Sequence, residues 1–357
     1  MPKREIVYLE GRPAAHIIHR RLAESLGCKI DFIDPFLRWQ DLNKGILFNL
    51  FAWLLNARYL AKKYKHIDIF LIDNLHFTPV IMNWLRWKKK KLVVHLGSHT
   101  LYFIVTKKFT PVNRWLHKFI LSQYDVLIFE GLMARDFASV ILKKKLPIHF
   151  NTFLGVPSER SLSLKNIMPD LMSKVIIVVA NGSAEFRAYY KGLDLMIEAF
   201  NIALKRNDRL ELLILGNWST EVIQNLLKKS HKEKIRFQGN VLNIEDWMTT
   251  ASLCLHCSRG DAFPTSTLET MMAGIPTIVS EWTGTKEVVE KVDHRFIVPN
   301  DAEVIASRLI WYFEMSIEEK LEISEKCRRA ASAYTQENAV RHYQDTFEQI
   351  YESLKNK

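Results

Sequence analysis

Short apolar runs recur along the chain in alternation with stretches of helical spacing. This alternation constrains the fold more than any other feature. In the first half the runs are EIVYLE, KIDFID, IDIFLID, KLVVHL, YDVLIFE and LPIHFNTF; in the second they are KVIIVVANG, LELLILGN, KIRFQGNV, ASLCLHCS and PTIVS. Strands that alternate with helices suit a mostly parallel sheet, whose two faces are both covered by helices. Between the two series, over residues 157–170, the pattern lapses into the polar, proline-bounded PSERSLSLKNIMPD. At 357 residues the chain also exceeds one ordinary core. The expectation is therefore an α/β protein of two Rossmann-like domains, residues 1–165 and 166–335, followed by a C-terminal helix over 336–357. Ligands of open α/β sheets bind outside the carboxyl ends of the strands, which for two facing domains means the cleft between them.

Charge and cysteine usage narrow the class. Residues 1–168 carry a net charge of +15 and residues 169–357 one of −4. The first half thus calls for an anionic partner. NWLRWKKKKL (residues 83–92) and KKFTPVNRWLHKF (107–119) mix tryptophan and phenylalanine with lysine and arginine, as a face meeting an anionic membrane does. Trp84 and Trp87, three apart, also fit a buried helix face. No nucleic-acid module is recognisable, and no nucleic-acid partner is expected. The four cysteines are too few and scattered for a disulfide framework, which points to a reducing compartment. Cys254 and Cys257 form a CxxC within the alternating SLCLHCS but have no second pair, so they read as buried strand cysteines; no metal is expected. The N-terminus enters an apolar strand without a leader-like segment, and residues 46–57 are too short and too interrupted by Asn49 and Asn56 to span a bilayer. A cytoplasmic protein, peripheral on the inner face of the membrane, is expected.

The densest motif is GDAFPTSTLETMMAGIPTIVS, residues 260–280. Gly260 lets the chain turn after a strand, and Phe263-Pro264 forces an extended step. Ser266 followed by Glu269 has the spacing of a capping box, and Gly274-Ile-Pro276 of a helix stop. The helix mouth at Thr265–Leu268 would bind an anion through its free N–H groups and its dipole. Asp261 and Glu269 beside such a site must address hydroxyls, since like charges repel. A diphosphate with a sugar on each side fits: a nucleoside-diphosphate sugar.

The same stretch resembles the acid-x7-acid signature of family 4 of the retaining glycosyltransferases, whose fold is GT-B. YKGLDLMIEAF (190–200) resembles that family's Lys-Gly helix start, and GTKEVVE (284–290) continues the match. The resemblance is specific over residues 174–300 and looser over the N-terminal half. It implies that Glu269 holds the ribose hydroxyls, that Asp261 contacts the donor sugar, and that Lys191 neutralises the departing diphosphate with the backbone of Phe263, Pro264, Thr265, Ser266 and Thr267. It places Gly11 and Gly182 close to the phosphates. A histidine after the KLVV strand is expected at the donor sugar: His99, with His95 as the rival and His16 on the acceptor side. No cofactor beyond the donor is implied, and the acceptor side falls to the first domain, pointing to a lipid-linked or membrane-proximal glycan. The C-terminal helix is expected to cross back to that domain.

Two departures from the family pattern stand out. The first acid is Asp261 rather than glutamate, and no basic residue follows Gly182, a place that Arg187 would fill. A second reading rests on them: a catalytically lapsed GT-B protein that binds a nucleotide sugar or glycan as a partner. A sugar-nucleotide epimerase is disfavoured by the Lys-Gly spacing.

Overall fold

In the computed structural model, which describes residues 5–11, 17–35, 46–85, 90–182, 185–228 and 230–355, the strands fall into two six-stranded sheets. Every pairing within them is parallel. The chain divides into two compact units, residues 1–153 with 339–357, and residues 154–338. Together the sheets give the α/β architecture expected of the GT-B fold.

The first unit begins β1 (Ile6–Glu10), α1 (Ile17–Ser25), β2 (Lys29–Phe32), α2 (Ile46–Lys63), β3 (Ile69–Asp73) and α3 (Phe77–Trp84). It continues β4 (Lys91–Leu96), α4 (His99–Val105), α5 (Pro111–Leu121), β5 (Val126–Glu130), α6 (Gly131–Ile141) and β6 (Ile148–Thr152). The sheet order is β2-β1-β3-β4-β5-β6. β1, β3 and β5 are buried along their whole length, which is why their sequences lack alternation. The winding reverses between β1 and β3, and the strands end on polar residues there: Glu10, Asp73, and Glu130 on β5.

Helix α2 buries Asn56 and leaves Lys63, near its end, exposed. Asn56 is fully buried and donates to Asp34 Oδ1 at 3.4 Å, and Lys63 pairs with Asp31 at 2.7 Å. The opposite face leaves Phe48, Leu50, Phe51, Leu54 and Leu55 exposed, Phe51 at 60%. Trp84 is no core residue: it is 53% exposed and lies 5.7 Å from Phe119, which stacks on the exposed Trp115. Trp87 lies outside the described residues. Right-handed crossovers that advance in one direction put α2, α3 and α5 on the same face of the sheet. Among the described residues, no helix is long and apolar enough to cross a membrane.

The second unit opens with α7 (Ser158–Lys165), in the stretch where the sequence pattern lapses; its Ser161 and Leu164 are buried. Then follow β7 (Val175–Val179), α8 (Glu185–Tyr190), α9 (Leu193–Leu204), β8 (Glu211–Leu215), α10 (Thr220–Leu227) and β9 (Ile235–Gly239). The return half is α11 (Ile244–Thr249), β10 (Leu253–His256), α12 (Thr265–Met272), β11 (Thr277–Ser280), α13 (Lys286–Val289) and β12 (Ile297–Val298). Helices α14 (Ala302–Glu314) and α15 (Ile317–Ala331) close the unit. The order β12-β11-β10-β7-β8-β9 is that of the dinucleotide-binding sheet, and its winding reverses between β7 and β10. The crevice beyond the carboxyl ends of those two strands is where such a sheet receives a ligand. Helix α16 (Gln336–Lys355) belongs to the first unit from Ala339 onward.

Candidate active site

Four of the sequence-selected residues meet at the reversal point of the second sheet. Gly182 follows β7, and the loop after β10 carries Asp261. Lys191, in the turn between α8 and α9, forms an ion pair with Asp261 Oδ2; each side chain is 15% exposed. Arg187 stands beside Gly182, its Cβ 2.6 Å from where a glycine-replacing Cβ would sit.

The Lys-Gly turn is sewn to the acid-bearing loop. The Tyr190 hydroxyl donates to the Gly260 carbonyl at 2.6 Å, and the Arg259 amide donates to the Tyr190 carbonyl at 2.9 Å. The Arg259 guanidinium grips Asp194 on α9 through two bonds of 2.6 and 2.9 Å. Gly192 makes the turn possible: it adopts φ +71°, and a Cβ there would lie 1.9 Å from the Cys257 carbonyl oxygen. The Asp261 backbone is held as firmly. Its amide donates to Ser258 Oγ at 3.1 Å, and its carbonyl accepts from the Gly284 amide at 2.8 Å.

His256, the last residue of β10, completes the constellation. Its Nε2 lies 3.2 Å from the same Asp261 Oδ2. The sequence reading used LCLHCS only as a strand; a histidine closing a strand five positions before the acid was the available signal. Burial lowers the His256 pKa, outweighing the pull of Asp261, so the neutral ring donates to the carboxylate. Burial alone would raise the Asp261 carboxyl, but Lys191 and His256 hold it well below the usual carboxylate range. The result is a fixed anion addressed by one cation and one imidazole.

The mouth of α12 differs from expectation in one respect. The N-cap is Pro264, at φ −62° and ψ 116°, and the helix begins at Thr265, so Ser266 does not form a capping box with Glu269. Thr267 closes the first turn instead: its hydroxyl lies 2.7 Å from the Pro264 carbonyl and 2.8 Å from Thr285 Oγ1, and its amide donates to Pro264 at 3.3 Å. The Thr267 amide is therefore engaged, while Thr265 and Ser266 occupy the first two helical positions, whose amides precede any intrahelical acceptor. Glu269, freed from capping, sits partly buried one turn into the helix. Burial, with a smaller push from Glu245, raises its pKa against the opposing effect of Arg160. Phe263 packs 5.7 Å from Tyr334 and is buried, so its side chain supports the loop from below. Cys254 and Cys257 are free, buried thiols, with Cys254 pushed up to about 12 by burial.

In the first unit the two histidine candidates part company. His99, the first residue of α4, is exposed and edge-on to Phe103. His95, on β4, is fully buried against His19, Glu130 and Tyr343. Gly11 ends β1 next to the His76 ring. His16 lies outside the described residues.

Residues 173–314 match the family model described as glycosyl transferases group 1. No curated protein matches the chain by sequence. Among solved structures, a glycosyltransferase from Rickettsia africae is similar at 16% identity and TM-score 0.71, over 98% of this chain and 99% of that one. HepE from Anabaena, solved with UDP and glucose, is similar at 14% identity and TM-score 0.67, over 99% and 100%. Sucrose-phosphate synthase from Thermosynechococcus elongatus is similar at 16% identity and TM-score 0.69, over 98% and 100%. The family match thus lies within the second unit, and the whole chain has the GT-B fold of these structures.

Proposed function

We propose that the chain is a retaining glycosyltransferase that takes a sugar from a nucleoside-diphosphate donor, held by the second unit, to a hydroxyl acceptor held by the first. The observation that carries this reading is the convergence of Lys191, Asp261 and His256 beside the α12 mouth at the sheet's reversal point. Lys191 stands where it can exchange its Asp261 partner for the diphosphate, neutralising charge as it develops on the leaving oxygen. Asp261, kept anionic, accepts from the sugar hydroxyls, and Glu269 accepts from the ribose. In the transfer step the acceptor oxygen bonds to the anomeric carbon as the bond to the phosphate oxygen breaks. The acceptor proton passes to that phosphate on the same face, so the configuration is kept and neither a side-chain nucleophile nor a metal takes part at the donor site. The fold likeness to HepE, solved with UDP and glucose, supports uracil as the base.

The acceptor is a membrane-proximal or lipid-linked glycan. Exposed Phe51, Leu54, Trp84 and Trp115 on one face of the first sheet, with Arg114 and Lys118 alongside Trp115 on α5, support attachment to an anionic bilayer from the cytoplasmic side. The decisive experiment is a thermal-shift screen against UDP-, GDP-, ADP- and dTDP-sugars, repeated with Glu269→Ala. At a donor concentration of 100 Kd the stabilisation is about 2.7 kcal/mol. It is expected for the UDP series and absent in the variant; no shift with any donor overturns the proposal. Flotation with anionic and neutral vesicles tests the membrane claim, and failure on both removes it.

A further inference from the structure

The first unit gathers a second polar cluster inside its own core. His19 of α1 reaches over the sheet to Asp73, His95 and Glu130 at the ends of β3, β4 and β5. The side chains of these four residues are 4%, 2%, 1% and 6% exposed, in that order. Burying two carboxylates and two imidazoles is costly unless each is tightly engaged, so their arrangement carries information.

That arrangement is directional. His19 Nδ1 lies 2.8 Å from Asp73 Oδ1, and its Nε2 forms an ion pair with Glu130 Oε1. His95 Nδ1 lies 3.4 Å from the Tyr343 hydroxyl, and its Nε2 lies 3.6 Å from the same Glu130 Oε1. The two rings stack at 4.4 Å between centroids with an interplanar angle of 25°. Each imidazole is thus anchored through Nδ1 and presents Nε2 to one shared carboxylate oxygen. One ligand atom from each of His19, His95 and Glu130 lies within 4.8 Å of the others.

We infer that His19, His95 and Glu130 form a binding site for a divalent transition-metal ion of the zinc class, with Asp73 and Tyr343 orienting the two histidines. Metal-ligating histidines characteristically give their other ring nitrogen to a carboxylate, which fixes ring and tautomer; His19 on Asp73 has that form. Two neutral imidazoles and two carboxylates offset a charge of +2. The nitrogen-rich donor set disfavours calcium and magnesium, which take oxygen ligands. A common ion at about 2.0–2.1 Å keeps its ligands within about 4.2 Å of one another, so modest side-chain rotation brings the set to coordination distance.

The test uses the full chain, stripped with a chelator and titrated with Zn²⁺ and with Co²⁺. One ion per chain is expected to survive a competing chelator and to raise Tm. The cobalt form should show ligand-field bands without a thiolate charge-transfer band, which separates this site from Cys254 and Cys257. His19→Gln and Glu130→Gln should each weaken binding at least about 100-fold, and Asp73→Asn about 10–100-fold. His294→Gln, at an exposed surface histidine, should leave it unchanged. If a core variant fails to fold by circular dichroism, the stoichiometry and cobalt spectrum of the wild type decide. No stoichiometric ion, a thiolate band, or undiminished binding in folded His19→Gln and Glu130→Gln overturns the inference.

Discussion

Gly192→Ala is the sharpest perturbation of the donor site because it touches no ligand-binding side chain. Its effect runs entirely through backbone geometry. Residue 192 has φ +71°, and the left-handed region costs an alanine about 1–2 kcal/mol. The new methyl would also start 1.9 Å from the Cys257 carbonyl oxygen, where real contacts stay above about 3.0 Å. The α8–α9 turn must therefore withdraw from the β10 end by about 1.1 Å, at an overpacking cost of about 1–3 kcal/mol. The sum, about 2–5 kcal/mol, corresponds to a Tm decrease of roughly 4–20 °C for a unit of this size. Lys191 is the neighbouring residue and moves with the turn, opening its pair with Asp261. A misplacement of about 1 Å costs on the order of 100-fold in rate. Gly239→Ala is the control: it shares a φ of +70°, but a Cβ there meets nothing within 4 Å. It should lose only about 1 kcal/mol and keep its turnover. Scanning calorimetry and a donor-hydrolysis assay on both variants decide the matter. If the two variants behave alike, the close approach of Gly192 to Cys257 does not position Lys191, and the reasoning fails.

Three further outcomes follow from the same geometry. Glu269→Gln should raise Tm at neutral pH while abolishing nucleotide-dependent stabilisation. Its folded pKa is raised, so the stability present below the unfolded value is lost as pH rises through the folded one; glutamine avoids that loss, and the gain should vanish below about pH 4. Asp261→Asn should cost about 2 kcal/mol by denaturant titration at pH 7. Because the folded Asp261 pKa is depressed, the carboxylate's contribution is present above the unfolded value of about 3.9 and is lost as pH falls toward the folded one. A deficit that disappears already at pH 6 would contradict this. Lys191→Ala should lower kcat about 100-fold or more with a smaller change in KM, since the cation acts on charge that develops in the transition state; an effect confined to KM would oppose that role.

Much of this molecule was legible without coordinates. The unalternated runs such as IVYLE and VLIFE could only be doubly covered parallel strands, and two series of them could only make two sheets. Asp261 was legible as a loop acid because Gly260 and Phe263-Pro264 follow a strand, whereas Lys191 was reached only through the resemblance of YKGLDLMIEAF to a family pattern. Local spacing misled at Ser266–Glu269, where the capping-box pattern was present but Pro264 and the Thr267–Thr285 hydroxyl contact started the helix earlier. It was also silent on which side of α2 faces the sheet: Asn56 is drawn inward by Asp34, leaving Phe51 to solvent.

What the sequence by itself determined is therefore whatever depends on near neighbours along the chain: the elements, their parallel pairing class, and the acid-bearing motif. Strand order was decided by tertiary structure alone, because a crossover helix can return its strand to either side of the first. On that order depends the reversal between β7 and β10 that brings Lys191 to Asp261. The same holds for His19, Asp73, His95 and Glu130. They are scattered over more than a hundred residues and become neighbours only because parallel strands carry all their carboxyl ends to one edge of the sheet.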